Sequence, residues 1–167
     1  NPAFSDTNPE GYVDTAKFTY KYKDSKYPVI DMDSIDKYIN VAYQNGMKMR
    51  FHVFVWHKQT PQWFFKENFS KNGAYVSKEV MDGRLEYLVR NVMTHIYSYK
   101  NSDGVYVGRE VIDNWDMANE YTHNNDGGEK SYWDEVYYPD YEYSKKKHSG
   151  IYTPVYIKEA KAKIGRA

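Results

Sequence analysis

The sequence predicts an α/β fold with parallel strands. Residues 47–56, rich in Val and Phe, and residues 109–120, "REVIDNWDMANE", read as strands, and stretches with apolar residues at helical spacing lie before, between and after them. Strands that alternate with helices pair in parallel, because the helix carries the chain back to the same end of the sheet. A polar row within the first strand is the third observation. Side chains alternate along a strand, so Met49, Phe51, Val53 and Val55 point one way and Arg50, His52, Phe54 and Trp56 the other. The first set suits covering helices. The second is too polar for such a face and suits the inside of a barrel whose carboxyl-end rim is a binding site.

Each element follows from local pattern. Residues 1–30 carry Asn, Pro, Asp, Lys and Tyr without sustained period and read mostly as loop. From Asp31, Ile35, Ile39, Ala42 and Tyr43 repeat at helical spacing, and Gly46 in "QNG" ends that helix. The first strand follows, and "HKQTP" is then the strand-to-helix loop. Residues 60–76 are mixed, with "KNG" marking a turn. A second helix starts near Ser77, a capping residue, with Leu85, Leu88, Val89, Val92 and Ile96 on one face. "NSDG" at 101–104 is a turn, and the second strand ends in Asn119-Glu120. A polar, Tyr-studded segment at about 121–153 precedes a last helix from about Pro154.

Composition narrows the function classes. Lys+Arg and Asp+Glu balance at 23 each, so no field attracts nucleic acid or an anionic membrane. No run approaches a membrane span, and no secretory leader opens the sequence, which fits a trimmed product as well as a cytoplasmic protein. The absence of Cys excludes disulfides and thiolate chemistry. Nineteen Tyr are more than a core needs, and rings with a flat apolar face and a polar tip suit wet binding surfaces, sugars among them.

"RFHVFVWHKQTPQWFF" together with "WDMANE" resembles glycoside hydrolase family 10, the retaining endo-1,4-β-xylanases, whose third strand reads G-H-x-x-x-W-H-x-Q-x-P-x-W and fourth W-D-V-V-N-E. "YINVAYQNGMKMR" is similar to that family's second helix and the start of its third strand. The resemblance covers roughly residues 31–120, and weakly 156–162, where "YIKEAKA" is similar to the fourth helix. It implies a (β/α)8 TIM barrel of which this chain is an internal part of one catalytic domain. It also implies roles. Glu120 is the general acid/base, Asn119 a donor to the sugar 2-hydroxyl, and His52 a contact to the same sugar, while Trp56 and Gln59 line the glycone side. The substrate implied is xylan or a xylo-oligosaccharide, with no cofactor and no metal. A retaining glycosidase protonates the leaving oxygen with one carboxylic acid while a second carboxylate, about 5 to 5.5 Å away, attacks the anomeric carbon.

The departures define what else is expected. The family's nucleophile, a Glu at the end of the seventh strand, has no counterpart here, and neither does the N-E-M-K segment of the second strand. A complete barrel takes about 250 residues. Remaining barrel segments, in the same or a second chain, are therefore expected to supply the nucleophile, and this piece alone is expected to be inactive. Phe51 stands where the family usually has Gly. The stretch before the fourth strand, "NSDGVYVGRE", and the Tyr-rich segment at about 121–153 read as insertions. Leaving from the catalytic end, the latter could overhang the aglycone half of the cleft with Tyr132, Trp133, Tyr137 or Tyr141 stacked on xylose units, or it could pack on its own barrel.

Other readings weigh against some residues. A Glu at a strand end is more often an ion-pair partner than a catalyst, and only the surrounding motif reverses that. His52 and His57, five apart on a strand, face opposite sides and make a poor metal pair; His57 reads as a structural hydrogen-bonder and Trp115 as helix-facing core. "KKK" at 145–147 is a solvated tip, and "NFS" at 68–70 a glycosylation acceptor or a chance match. Two functions from different classes remain: an enzyme part carrying the acid/base, and a non-catalytic xylan-binding or structural piece. An intact Asn119-Glu120 pair favours the enzyme. The polymer substrate and the family place the protein outside the cell.

Overall fold

The computed structural model describes residues 12–13, 24–120 and 131–140. Within the stretch expected to be mostly loop, β1 (Tyr12–Val13) and β2 (Tyr27–Pro28) pair antiparallel. Tyr27 is fully buried and its ring stacks on Tyr87 at 4.4 Å, while the Tyr87 hydroxyl donates to the Pro28 carbonyl at 2.7 Å. Helix α1 (Asp33–Gln44) follows. Asp33 and Asp36 sit in its first turn, where the helix dipole favours negative charge, and Gly46 at φ +63° supplies the left-handed residue beyond its end. Ile39 and Ala42 are buried as expected, but Tyr43 lies on the exposed side.

Each expected strand is made in two pieces. β3 (Met49–Phe51) and β4 (Val55–Trp56) form the first, β5 (Ile112–Trp115) and β6 (Ala118–Asn119) the second. Both pairings are parallel: Phe51 opposite Trp115 in β3–β5, Trp56 opposite Asn119 in β4–β6. Where the first strand is interrupted, the His52–Val53 peptide is cis. Backbone bonds span the gap, with Asp116 N–H donating to Phe51 O at 2.9 Å and Val55 N–H to Met117 O at 3.0 Å. The interruption resets the alternation. Phe54, expected beside Arg50, His52 and Trp56, is instead 2% exposed and stacks on Trp115, with Phe51 tilted against both. Trp115 joins the core, as its parity predicted.

Between the strands, residues 60–76 make two 3-10 turns and a short hairpin closed by Glu67 N–H to Ala74 O at 2.8 Å and Val76 N–H to Phe65 O at 3.0 Å. Helix α2 (Lys78–Ser98) opens on Ser77, whose side chain accepts from the Val80 N–H at 3.3 Å. Its residues 81–89 are all buried, far more than one apolar stripe, because α2 has neighbours on both sides. Helix α3 (Val107–Val111) occupies what the sequence reads as the start of the second strand. Gly108 explains the difference: a Cβ there would stand 1.8 Å from the Ile96 carbonyl oxygen, so a bare backbone lets this turn pack on the end of α2. Helix α4 (Tyr132–Tyr137) lies in the Tyr-rich segment, opened by a reciprocal Ser131–Asp134 capping box that the sequence reading overlooked. The helix expected from Pro154 falls outside the described residues.

Arg84 is the polar centre of this packing. At 1% exposure it donates from Nε and Nη2 to Asp24 at 2.8 and 2.5 Å, and from Nη1 to the carbonyls of Phe64 and Lys66 at 2.7 and 2.9 Å, with its plane 3.9 Å over the Phe69 ring. Arg84→Met should strand Asp24 and two carbonyls, lowering stability by about 3–5 kcal/mol; a denaturation midpoint moved by less than a third of that would show the ion pair to be dispensable. Gly108→Ala forces α3 off the end of α2 and should cost about 1–3 kcal/mol, read as a lowered melting temperature with Val107→Ala, a cavity change at the same place, as comparison.

Candidate active site

The β4–β6 register brings the site together. Pairing Trp56 with Asn119 sets the next residue, Glu120, beside the Trp56 side chain, and the indole N–H donates to Glu120 Oε2 at 3.1 Å. Glu120 is exposed and has φ +49°, a left-handed turn that ends the strand and frees its side chain from strand alternation. Both groups stand at the carboxyl ends of parallel strands, where α/β sheets and barrels place binding sites. His52, Trp56 and Gln59 line one small concavity with Val53, Lys58 and Thr60. Gln59, also at positive φ (64°), belongs to the turn that leaves β4.

Below that rim lies an acid that the sequence reading did not single out. Asp116 Oδ1 accepts from Arg50 Nε at 2.6 Å, with Arg50 Nη2 against the same oxygen, and Oδ2 pairs with His52 Nδ1 at 2.9 Å. Hydrogen bonds from Arg50, then His52, hold the Asp116 carboxyl below the usual carboxylate range, and the same pairing pushes the Arg50 guanidinium up. Any stability from a depressed acid is fully present above its ordinary pKa and is lost as pH falls through the lowered one. An ionised carboxylate only accepts, so Nδ1 carries the hydrogen and Nε2 is the nitrogen left for a ligand. Asp116 stands in the quoted "WDMANE" motif four residues before Glu120, which was the available signal.

The four substrate-contact candidates and Glu120 thus surround one strand end: Trp56 touches Glu120, Asn119 pairs with Trp56, and His52 and Gln59 flank the same hollow. The proposed stacking rings fare differently. Trp133 is 1% exposed, with its ring edge-on to Phe65 at 4.9 Å and its indole N–H donating to the Trp56 carbonyl at 3.0 Å. Tyr137 is buried with its hydroxyl on Asp82 at 2.6 Å. Both rings pack on the protein itself, Tyr132 is partly exposed, and Tyr141 lies outside the described residues. His57 sits edge-on to the Trp56 ring at 6.0 Å. Among the described residues no group of three or more His, Asp or Glu is placed to hold a metal ion, and no helix is long and apolar enough to cross a membrane.

Residues 15–146 match the family model of glycosyl hydrolase family 10. Endo-1,4-β-xylanase A of Butyrivibrio fibrisolvens is 44% identical over 117 residues, 70% of this chain and 26% of that protein. The bifunctional endo-1,4-β-xylanase of Ruminococcus flavefaciens is 46% identical over 102 residues, 58% of this chain and 10% of that protein. The chain therefore spans about a quarter or less of these relatives. The crystal structure of the CBM22-1–GH10 modules of a Clostridium thermocellum endo-1,4-β-D-xylanase, complexed with xylohexaose, superposes with a TM-score of 0.59 at 24% identity, covering 84% of this chain and 26% of that one. That likeness carries the fold. The matched range reaches past both strands and includes α4. With its parallel strand pairs and the helices between them, this chain is part of a (β/α)8 barrel and belongs to glycosyl hydrolase family 10.

Proposed function

We propose that this chain supplies the general acid/base half of a retaining endo-1,4-β-xylanase site. Glu120 protonates the glycosidic oxygen as the bond to the anomeric carbon breaks, then as carboxylate takes a proton from the water that releases the sugar. Asn119 donates to the 2-hydroxyl, His52 offers Nε2 to the same sugar, and Trp56 and Gln59 line the glycone side. The observation that carries this reading is the Trp56 N–H on Glu120 at the carboxyl end of a parallel pair, with His52 and Gln59 on the same hollow. The relatives named as endo-1,4-β-xylanases support the substrate class.

The nucleophile comes from barrel segments beyond this sequence, in the same or a second chain. Support comes from an apolar cavity of about 200 Å³ between α1, β3 and α2, bordered by Ile35, Met49, Phe51, Leu88, Val92 and Ile112, which is the kind of surface a neighbouring strand covers. Xylan is too large to import, so this reading also places the protein outside the cell.

In the complete barrel, Glu120→Gln should lower the rate on xylan by about 10²–10⁴, the usual worth of a general acid, and lower glycosylation far less with an aryl glycoside whose leaving group departs unaided. Reducing-sugar release and aryl release measure the two. Equal losses on both substrates would remove Glu120 from the acid's role; no release from xylan by the parent would remove the xylanase.

A further inference from the structure

We infer that Trp133 is a positioning residue for Glu120, acting through Trp56; the inference rests on Glu120 being the acid. Glu120 is exposed, and among the described residues the indole N–H of Trp56 bonds to it at 3.1 Å. Where that indole stands depends on the backbone that carries it. The Trp56 carbonyl accepts from the indole N–H of Trp133 at 3.0 Å and from the Thr60 hydroxyl at a longer 3.5 Å. Two tryptophans therefore act in series, each donating to the next group toward the acid.

The far end of this series is rigid. The Trp133 ring is wedged edge-on against Phe65, the Ser131–Asp134 capping box fixes the first turn of α4, and Tyr137 bonds to Asp82 on α2. Trp56 thus pairs with Asn119 on one side and receives the Trp133 N–H on the other. A ring that stacked on sugar would have to expose its face, and Trp133 has none exposed. Its chemistry points inward, to the placing of a proton donor.

The test compares kcat/KM, which reports glycosylation, for an unsubstituted xylo-oligosaccharide and an aryl xyloside with a good leaving group, in the complete enzyme. Trp133→Phe keeps most of the ring and loses the N–H. It should lower the oligosaccharide value about tenfold, part of what a general acid supplies, and the aryl value less than about twofold, with the alkaline limb of the pH profile displaced for the oligosaccharide. A partly unfolded sample lowers both values equally, so the ratio remains readable. Val107→Ala opens a cavity at the contact of α3 with α2, outside this series; it should lower the melting temperature and leave the ratio alone. An unchanged ratio in Trp133→Phe, or the same change in Val107→Ala, overturns the inference. Glu120→Ala serves as the reference: if it leaves the ratio unchanged, the acid assignment fails and this inference with it, whereas a ratio moved by Glu120→Ala and not by Trp133→Phe overturns the positioning role alone.

Discussion

A guanidinium buried to 1% exposure has to find acceptors for its N–H groups, and those that Arg84 finds belong to parts of the chain far apart in sequence. Asp24 comes from the segment before β2, Phe64 and Lys66 from the loop that follows β4, and Arg84 itself from α2. Left to themselves, a loop carbonyl and a carboxylate would stay in water. Gathering them around one cation fixes the loop between β4 and α2 against the helix, and that loop begins with the turn carrying Gln59. Replacing the whole group with apolar residues of equal volume can be neutral in stability. What the charge adds is a single arrangement of the loop, since another arrangement would leave N–H groups unmet.

The site depends on a second constraint, register. Side chains alternate along a strand, so a one-residue slip of β6 against β4 would set Glu120 on another neighbour. Two pairs of residues, Val55 with Ala118 and Trp56 with Asn119, are a short ladder on which to hold the placement of Glu120 beside Trp56. The contacts around it offset that. Phe51, Phe54 and Trp115 form an aromatic cluster below, Asp116 joins Arg50 and His52 across the strands, and Trp133 holds the Trp56 carbonyl above. The bulk of Phe51, where the family usually carries Gly, is taken up in that cluster.

Much of this was legible in the chain. The Ser77 cap, the α1 and α2 faces, the turns at Gly46 and Gly104, and the parallel pairing follow from periodicity and turn chemistry, which act over a few residues. What escaped depends on tertiary approach. Reading 109–111 as strand took Val111 and Ile112 as one run, whereas the close contact of Gly108 with Ile96 turns the chain into α3 first. Alternation placed Phe54 correctly only if the strand was continuous, and it is not. Trp133 shows the limit most plainly. A tryptophan between polar residues looks the same in sequence whether its face meets a sugar or a phenylalanine; the nearby Ser131 and Asp134 were the local sign of a helix, and a helix gives such a ring a buried side. For the site itself, Glu120 and Trp56 came from motif resemblance; Asp116, Arg50 and His52 stand in the same motifs, but their mutual pairing was not read from them.

The retaining mechanism proposed for this site needs a second carboxylate beside Glu120. The acid has to hold a proton near neutral pH, which requires burial or a neighbouring negative charge. The second carboxylate, placed about 5 to 5.5 Å away to attack the anomeric carbon, is also such a charge. One group therefore serves as nucleophile and keeps the acid protonated until it has been neutralised by bond formation; the acid then loses its proton and becomes the base for the second step. Exposure of Glu120 in the described residues fits a donor whose opposite wall comes from elsewhere in the barrel. In the proposed role this chain contributes direction, with the Trp56 N–H on the carboxyl, the register that places it and the buried Trp133 behind it, while the charge that the acid faces is assigned to the remaining strands.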